Sequence, residues 1–152
     1  MKLTAKGRYA VTAMLDLAVH EQDGPISLAE ISERQGISLS YLEQLFAKMR
    51  RNKLVASTRG PGGGYSLKNS PENVCIADVI NAVDEKMNVT NKDVMDGSTD
   101  FEPCLTEQLW EELSEQIQNY LTTISLADMM QNNEVMALSR SHDLRQKTHK
   151  LL

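Results

Sequence analysis

The sequence predicts a mainly α-helical fold that contains a helix-turn-helix, a two-stranded wing and a long helix in its second half. Two short helical patterns joined by a tight turn occupy residues 27–52. Two short runs, LVAST and YSL, then flank the glycine-rich segment RGPGGG, which is typical of a β-hairpin. Helix, turn, helix and wing in this order is an arrangement that DNA-binding domains use.

The helix-turn-helix has recognisable helix ends. Ser27 with Glu30 three residues later forms a capping-box pattern, and Gly36 stands where the end of a helix favours a left-handed residue. Ser38 can begin the second helix. Apolar residues with helical spacing then predict its buried face: Tyr41, Leu42, Leu45, Phe46 and Met49.

Charge along the chain supports DNA as the partner. Five basic residues and no acidic one lie between Lys48 and Arg59, including Arg50 and Arg51 at the predicted helix end. Residues 1–69 carry a net charge of +4 and residues 70–152 carry −9, which together give the −5 of the whole chain. We therefore expect the first half to meet DNA phosphates and the second half to serve another purpose.

The remaining segments predict the domain organisation. The first helix covers 4–21, with Thr4 as a cap, and Ser70-Pro71-Glu72 opens another helix over about 71–84. We expect a winged-helix DNA-binding domain over 1–84, a loop over 85–102, dimerisation helices over 103–131 and a flexible tail over 132–152.

A long helix over 103–123 presents an apolar stripe, which is formed by Leu105, Leu109, Leu113, Ile117 and Tyr120. A short helix follows, starting at Ser125. The stripe could instead pack on its own domain, but reading two half-sites favours a homodimer.

Composition excludes several classes of protein. No apolar stretch approaches the length of a membrane span and no signal peptide is visible, so we expect a cytoplasmic protein without a membrane partner. Two cysteines are too few for a disulfide framework. The segment RGPGGG lacks the Gly-Lys-Ser/Thr of a phosphate-binding loop and leads into a strand, and no nucleophile–base set is visible, so we expect no enzyme activity.

Four segments resemble one family. LTAKGRYAVTAML, ISERQGISLSYLEQLF, RGPGGGY and VINAVDE are similar to the bacterial winged-helix transcription factors to which the iron–sulfur cluster regulator IscR belongs. The resemblance covers the chain to about residue 130 and implies a homodimeric regulator with a winged-helix DNA-binding domain and a long C-terminal dimerisation helix. It also implies DNA contacts along the second motif helix and the wing, which together with the basic run predict the set Ser38, Ser40, Tyr41, Glu43, Gln44, Arg50, Arg51, Arg59, Gly60 and Gly62.

The sequence departs from this family where a cluster would bind. The resemblance implies three cysteines and a histidine as ligands, but the matching positions are Lys92, Ser98, Cys104 and Glu107. Lysine and serine are poor iron ligands, so we expect no metal site and no [2Fe–2S] cofactor. Cys104 as a ligand or redox-sensing thiol, and a protein-interaction module that has lost DNA binding, are the alternatives. The sequence thus predicts a sequence-specific repressor that binds near-palindromic double-stranded DNA as a homodimer.

Overall fold

A computed structural model describes residues 4–84 and 105–151 of the 152-residue chain. Within these residues seven α-helices surround a core, and two strands form the wing. Short 3-10 turns at Glu21–Asp23 and Pro71–Asn73 connect some of them. The elements are α1 (Ala5–His20), α2 (Leu28–Gln35), α3 (Leu39–Arg51), β1 (Val55–Thr58), β2 (Gly64–Leu67), α4 (Ile76–Val83), α5 (Glu107–Thr122), α6 (Leu126–Met130) and α7 (Asn133–Leu151).

The helix starts predicted at Thr4 and Ser27 and the helix end predicted at Gly36 are confirmed. Thr4 caps α1, its hydroxyl accepting from the Gly7 N–H at 3.3 Å. The Ser27 hydroxyl accepts from the Glu30 N–H at 3.2 Å, and the Glu30 carboxylate accepts from the Ser27 N–H at 3.1 Å. Gly36 ends α2 with φ 67°, in the left-handed region that glycine adopts without strain. These caps define the starts of α1 and α2 and the end of α2, from which the turn to α3 begins.

One continuous core joins the two halves of the chain. Met14 and Leu17 of α1 are fully buried, as are Ile31 of α2 and Leu126 of α6. The core is completed mainly by the inner faces of α3 and α4 and by β1, through Leu42, Leu45, Phe46, Met49, Val55, Val79 and Val83. Because Leu126 comes from the second half, α6 packs on the winged helix rather than forming a separate core.

The predicted helix over 71–84 is wrong in its first turns. Pro71–Asn73 is a 3-10 turn, residues 74 and 75 are extended, and α4 begins only at Ile76. The reason is a long-range pairing: the Val74 carbonyl accepts from the Leu126 N–H at 2.9 Å, and the Ile124 carbonyl accepts from the Ile76 N–H at 2.8 Å. This pairing replaces the helical hydrogen bonds and attaches the start of α6 to the start of α4.

The C-terminal segment also differs from its prediction. Residues 132–152 were expected to form a flexible tail, but Asn133–Leu151 is the helix α7. The Asn132 side chain accepts from the backbone N–H groups of Glu134 and Val135, at 2.9 and 3.2 Å, which caps its start. The polar residues that suggested a mobile tail instead find partners on α1 and α2, as described below.

Candidate nucleic-acid interface

Helix α3 has one buried face and one exposed face. Its inner side chains Leu42, Leu45, Phe46 and Met49 have no exposed surface. On the other side Ser40, Glu43 and Gln44 are exposed to solvent. A helix that is held on one face and leaves polar groups free on the other has the form needed to enter a DNA major groove.

The start of α3 is shaped by a hydroxyl and an aromatic pair. Ser38 is exposed and caps the helix, its hydroxyl accepting from the Tyr41 N–H at 3.2 Å. Tyr41 is half-buried because its ring meets the ring of Tyr9 edge-on, with centroids 5.7 Å apart. Tyr9 was not among the predicted site residues; nothing in its local sequence pairs it with Tyr41. The contact fixes the Tyr41 ring against α1.

The basic residues predicted at the end of α3 lie at the surface. Arg50 and Arg51 occupy the last turn of α3, and both are exposed. Lys53 follows with φ 62°, a left-handed conformation, and the Leu54 N–H donates to the Met49 carbonyl at 3.0 Å. This tight turn leads from the end of α3 directly into β1. The two arginines therefore lie where the helix joins the wing.

The wing is a short antiparallel hairpin. Val55 pairs with Leu67 and Thr58 pairs with Gly64, which leaves residues 59–63 as the tip. Tyr65 also pairs with Ile26 through hydrogen bonds of 2.7 and 2.9 Å, so the segment before α2 adds a third, one-residue strand. The wing is therefore attached on both sides of the helix-turn-helix.

Glycines give the tip its conformation. Gly60 and Gly62 have φ of 94° and 75°, and the Gly63 N–H donates to the Gly60 carbonyl at 2.9 Å. A β-carbon on Gly63 would overlap the Thr58 carbonyl oxygen, so a side chain there would open the turn. The result is a narrow tip on which Arg59 is exposed.

A buried ion pair beneath the motif was not predicted. Arg34 of α2 donates two hydrogen bonds to the Asp16 carboxylate, from NH2 at 2.7 Å and from Nε at 3.0 Å to the second oxygen, and Gln35 donates a third at 2.7 Å. Burial raises the pKa of Asp16, but the hydrogen bonds from His20, Arg34 and Gln35 outweigh it, so that pKa lies below its ordinary value. An acid four residues before His20, in the otherwise apolar second half of α1, was the available signal.

The apolar residues exposed on and just before α5 are largely those of the predicted stripe. Leu109, Leu113 and Tyr120 are 57%, 46% and 66% exposed, Leu105 before the helix is fully exposed, and Ile117 is half-buried. Trp110, 57% exposed, belongs to the same helix and was missed. Exposed apolar residues in this number on one helix indicate a surface that another protein covers.

The positions that match the cluster ligands lie mostly outside the described residues. Lys92, Ser98 and Cys104 fall between residues 85 and 104, and only Glu107, at the start of α5, is described. Cys75, at the start of α4, is half-buried, and burial raises the pKa of its thiol. In residues 4–84 and 105–151 no three His, Cys, Asp or Glu side chains are grouped as metal ligands would be.

No helix within residues 4–84 and 105–151 combines the length and the apolar character that crossing a bilayer requires.

Comparison with known proteins identifies relatives over nearly the whole chain. The Rrf2 family, described as iron-dependent transcriptional regulators, matches residues 3–132. The ORF2 protein of Azotobacter vinelandii is 60% identical over 96% of this chain and 89% of its own. The HTH-type transcriptional regulator IscR of Erwinia tasmaniensis is 51% identical, covering 98% of this chain and 92% of its own. The structure of T. potens IscR superposes with a TM-score of 0.68 at 41% identity, over 86% of each chain.

Proposed function

Because the chain belongs to the Rrf2 family of transcriptional regulators, we propose that it binds a near-palindromic site in double-stranded DNA as a homodimer, represses transcription and acts in the cytoplasm. The resemblance expected from the sequence, the winged-helix fold and the assignment to regulators rather than enzymes are confirmed by these relatives. The observation that carries the proposal is the exposed polar face of α3 beside a wing whose tip presents Arg59.

The exposed face of α3 supplies the base contacts in this proposal. The Gln44 amide can pair with both hydrogen-bonding groups of an adenine edge, and the Glu43 carboxylate can accept from the N4 amino group of cytosine. A carboxylate that leaves water and finds no donor is costly, so Glu43 also disfavours sites that lack a cytosine there. Ser38, Ser40 and Tyr41 at the start of the helix hold phosphates through their hydroxyl groups.

The wing and the end of α3 supply charge. Arg50 and Arg51 neutralise phosphates beside the major groove, releasing counterions. Arg59 enters the neighbouring minor groove, where narrow A·T-rich segments have the most negative potential. Gly60 and Gly62 allow the tip to approach the DNA backbone closely because they carry no side chain.

Helix α5 is the proposed dimerisation surface. Two copies that pair along Leu109, Leu113 and Tyr120 would cover side chains that are about half exposed in one chain. A two-fold axis through this helix pair would present two α3 helices to two inverted half-sites. The net charge of −9 on residues 70–152 supports a separation of roles, since this half would be held away from the phosphates.

The residues at the ligand positions of the cluster-binding relatives do not fit an iron–sulfur cluster. A lysine ammonium has no lone pair for iron, serine binds iron far less well than a thiolate, and glutamate replaces histidine at Glu107. We therefore propose that DNA binding does not depend on a cluster. A redox role for Cys104 remains the alternative, and it lies outside the described residues.

Salt-dependent binding to duplex DNA tests the proposal. Fluorescence anisotropy with a labelled duplex should give an association constant whose logarithm falls linearly with the logarithm of salt concentration. A protein-interaction module that has lost DNA binding would give no anisotropy change even in dilute buffer, and that result would exclude the proposed function.

A further inference from the structure

Helix α7 is joined to the helix-turn-helix by side-chain hydrogen bonds, and two of its residues make bonds of 3.2 Å or shorter. Asp143 Oδ1 lies 2.8 Å from His20 Nε2 at the end of α1. The Gln146 side-chain oxygen accepts from Arg34 at 3.2 Å, and its amide donates to Glu33 at 3.1 Å. Two successive turns of α7 thus hold one residue of α1 and two residues of α2.

Two of the residues that α7 holds, His20 and Arg34, contact the buried carboxylate of Asp16. The Asp16 side chain has no exposed surface, and the Arg34 side chain is only 5% exposed. Helix α7 contributes Val135, Leu138 and His142 to the walls of a cavity of about 220 Å³, of which Asp16 is also part. A buried ion pair needs its remaining hydrogen-bonding groups satisfied, and Gln146 satisfies one guanidinium nitrogen of Arg34.

His20 bonds on both sides of its ring. Nδ1 lies 2.7 Å from the Asp16 carbonyl oxygen, and Nε2 lies 2.8 Å from Asp143. Both neighbours are acceptors, so both ring nitrogens must donate and the ring carries a positive charge. The bond between Asp143 and His20 is therefore charge-assisted, which makes it stronger than a neutral hydrogen bond.

The held residues adjoin both proposed DNA-binding elements. Arg34 lies two residues before Gly36, and Ser38 then caps α3. On the other side, Glu21 follows His20 directly, and its carboxylate accepts from the Leu67 N–H of the wing at 2.7 Å. A short series of bonded residues thus leads from α7 to the start of α3 and to β2.

We infer that α7 positions the DNA-binding surface, with Asp143 and Gln146 as positioning residues that act through His20 and Arg34. The inference rests on the proposed function, because what α7 positions is the surface that reads DNA. Without these bonds α2 and the end of α1 are held less firmly, and the α3 helices of a dimer no longer match two half-sites at once.

The variant Asp143→Asn separates positioning from simple electrostatics. It removes one negative charge, and charge alone would strengthen binding to DNA. Loss of positioning would weaken binding to the specific site instead. The two explanations therefore predict changes of opposite sign in the affinity for that site. Glu134→Gln is the matched control, because Glu134 is an exposed acid on the same helix and the same charge is removed.

The experiment uses full-length protein, a duplex selected by the wild type from random DNA, and a scrambled duplex of equal composition. At a temperature where all variants are folded by circular dichroism, Asp143→Asn and Gln146→Ala should bind the selected duplex at least about fivefold more weakly. Their affinity for the scrambled duplex should not fall, and Glu134→Gln should match the wild type or bind slightly more tightly. Equal affinities of Asp143→Asn and Glu134→Gln for the selected duplex would overturn the inference.

Hydrogen exchange tests the same inference without DNA. Amides of α2 and of residues 36–38 should exchange faster in Asp143→Asn than in Glu134→Gln, while those of α4 should be unchanged. Unchanged exchange in α2 would overturn the inference even if DNA bound well. Failure of the wild type to bind any duplex would instead refute the proposed function, and the exchange result would still decide whether α7 positions α2.

Discussion

Phe46 on the buried face of α3 meets Tyr65 of β2 edge-on, with ring centroids 5.0 Å apart and an interplanar angle of 61°. Such aromatic pairs contribute about 0.5–1.5 kcal/mol beyond the area they bury. Tyr65 also pairs through its backbone with Ile26, just before α2. Helix α3 and the wing are therefore held to each other by a side-chain contact, and the wing is held to the segment before α2 by the Ile26–Tyr65 pairing, so we expect them to approach DNA as one rigid surface.

The wing arginine should contribute through the minor groove. Arg59→Ala is expected to weaken binding to sites with A·T-rich flanks several-fold more than binding to sites with G·C-rich flanks, because the narrow A·T groove has the stronger negative potential. Competition binding with both flank types measures the difference. Arg140→Ala removes an equal charge from an exposed position on α7 and should affect both sites alike. An equal loss on both flanks in Arg59→Ala would contradict minor-groove insertion.

The α5 surface should hold the dimer together. Leu113→Asp places a charge on an apolar side chain that is 46% exposed in one chain, and we expect monomers in sedimentation velocity because an interface buries that charge. Leu144→Asp is the matched control, since Leu144 on α7 is 66% exposed and lies outside the proposed interface. A Leu113→Asp protein that still sediments as a dimer would place the interface elsewhere.

Stability should fall as the pH rises through the pKa of His20. The hydrogen bonds from His20 to Asp16, together with the bond to Asp143, outweigh burial and raise its pKa from 6.5 to about 9. A group whose pKa is raised on folding stabilises the fold fully below its unfolded pKa, and that contribution is lost between about pH 6.5 and 9. Urea denaturation across this range measures the loss. His20→Gln should show a shallower decline, and the same slope in both proteins would refute the role of His20.

Iron should be absent from protein purified without oxygen. We expect no stoichiometric iron and no visible absorption band, because Lys92, Ser98 and Glu107 replace three family ligands. The triple variant Lys92→Cys, Ser98→Cys, Glu107→His restores the ligand set and serves as a positive control for cluster incorporation. A brown wild-type protein with stoichiometric iron would show that the cluster is held by other residues.

Short sequence patterns predicted those parts of the fold that depend on interactions between residues close together in the chain. Ser27, Gly36 and Ser38 define helix ends through hydrogen bonds within four residues, and the apolar spacing in α3 matches its buried face. Most of the exposed apolar residues of α5 were also predicted, because their helical spacing is visible in the local sequence, although Trp110 was missed.

The parts that were missed depend on partners far along the chain. Residues 74 and 75 are extended because the segment 74–76 pairs with residues 124–126, which no local pattern encodes. The polar sequence of α7 predicts a tail, but Asp143 and Gln146 bond to residues more than a hundred positions earlier. Polar residues in a terminal segment thus gave no information about whether a complementary polar surface was available to bind them.

Selection of bound sequences from random duplex DNA shows whether a homodimer reads two half-sites. We expect an enriched motif of two inverted half-sites, with centres spaced for successive major grooves and two protomers bound per duplex. Gln44→Ala should lose selection at one symmetric pair of positions while the rest of the motif persists. An enriched motif without two-fold symmetry, or no enrichment even in dilute buffer, would contradict the claim that a homodimer reads DNA through α3 and the wing.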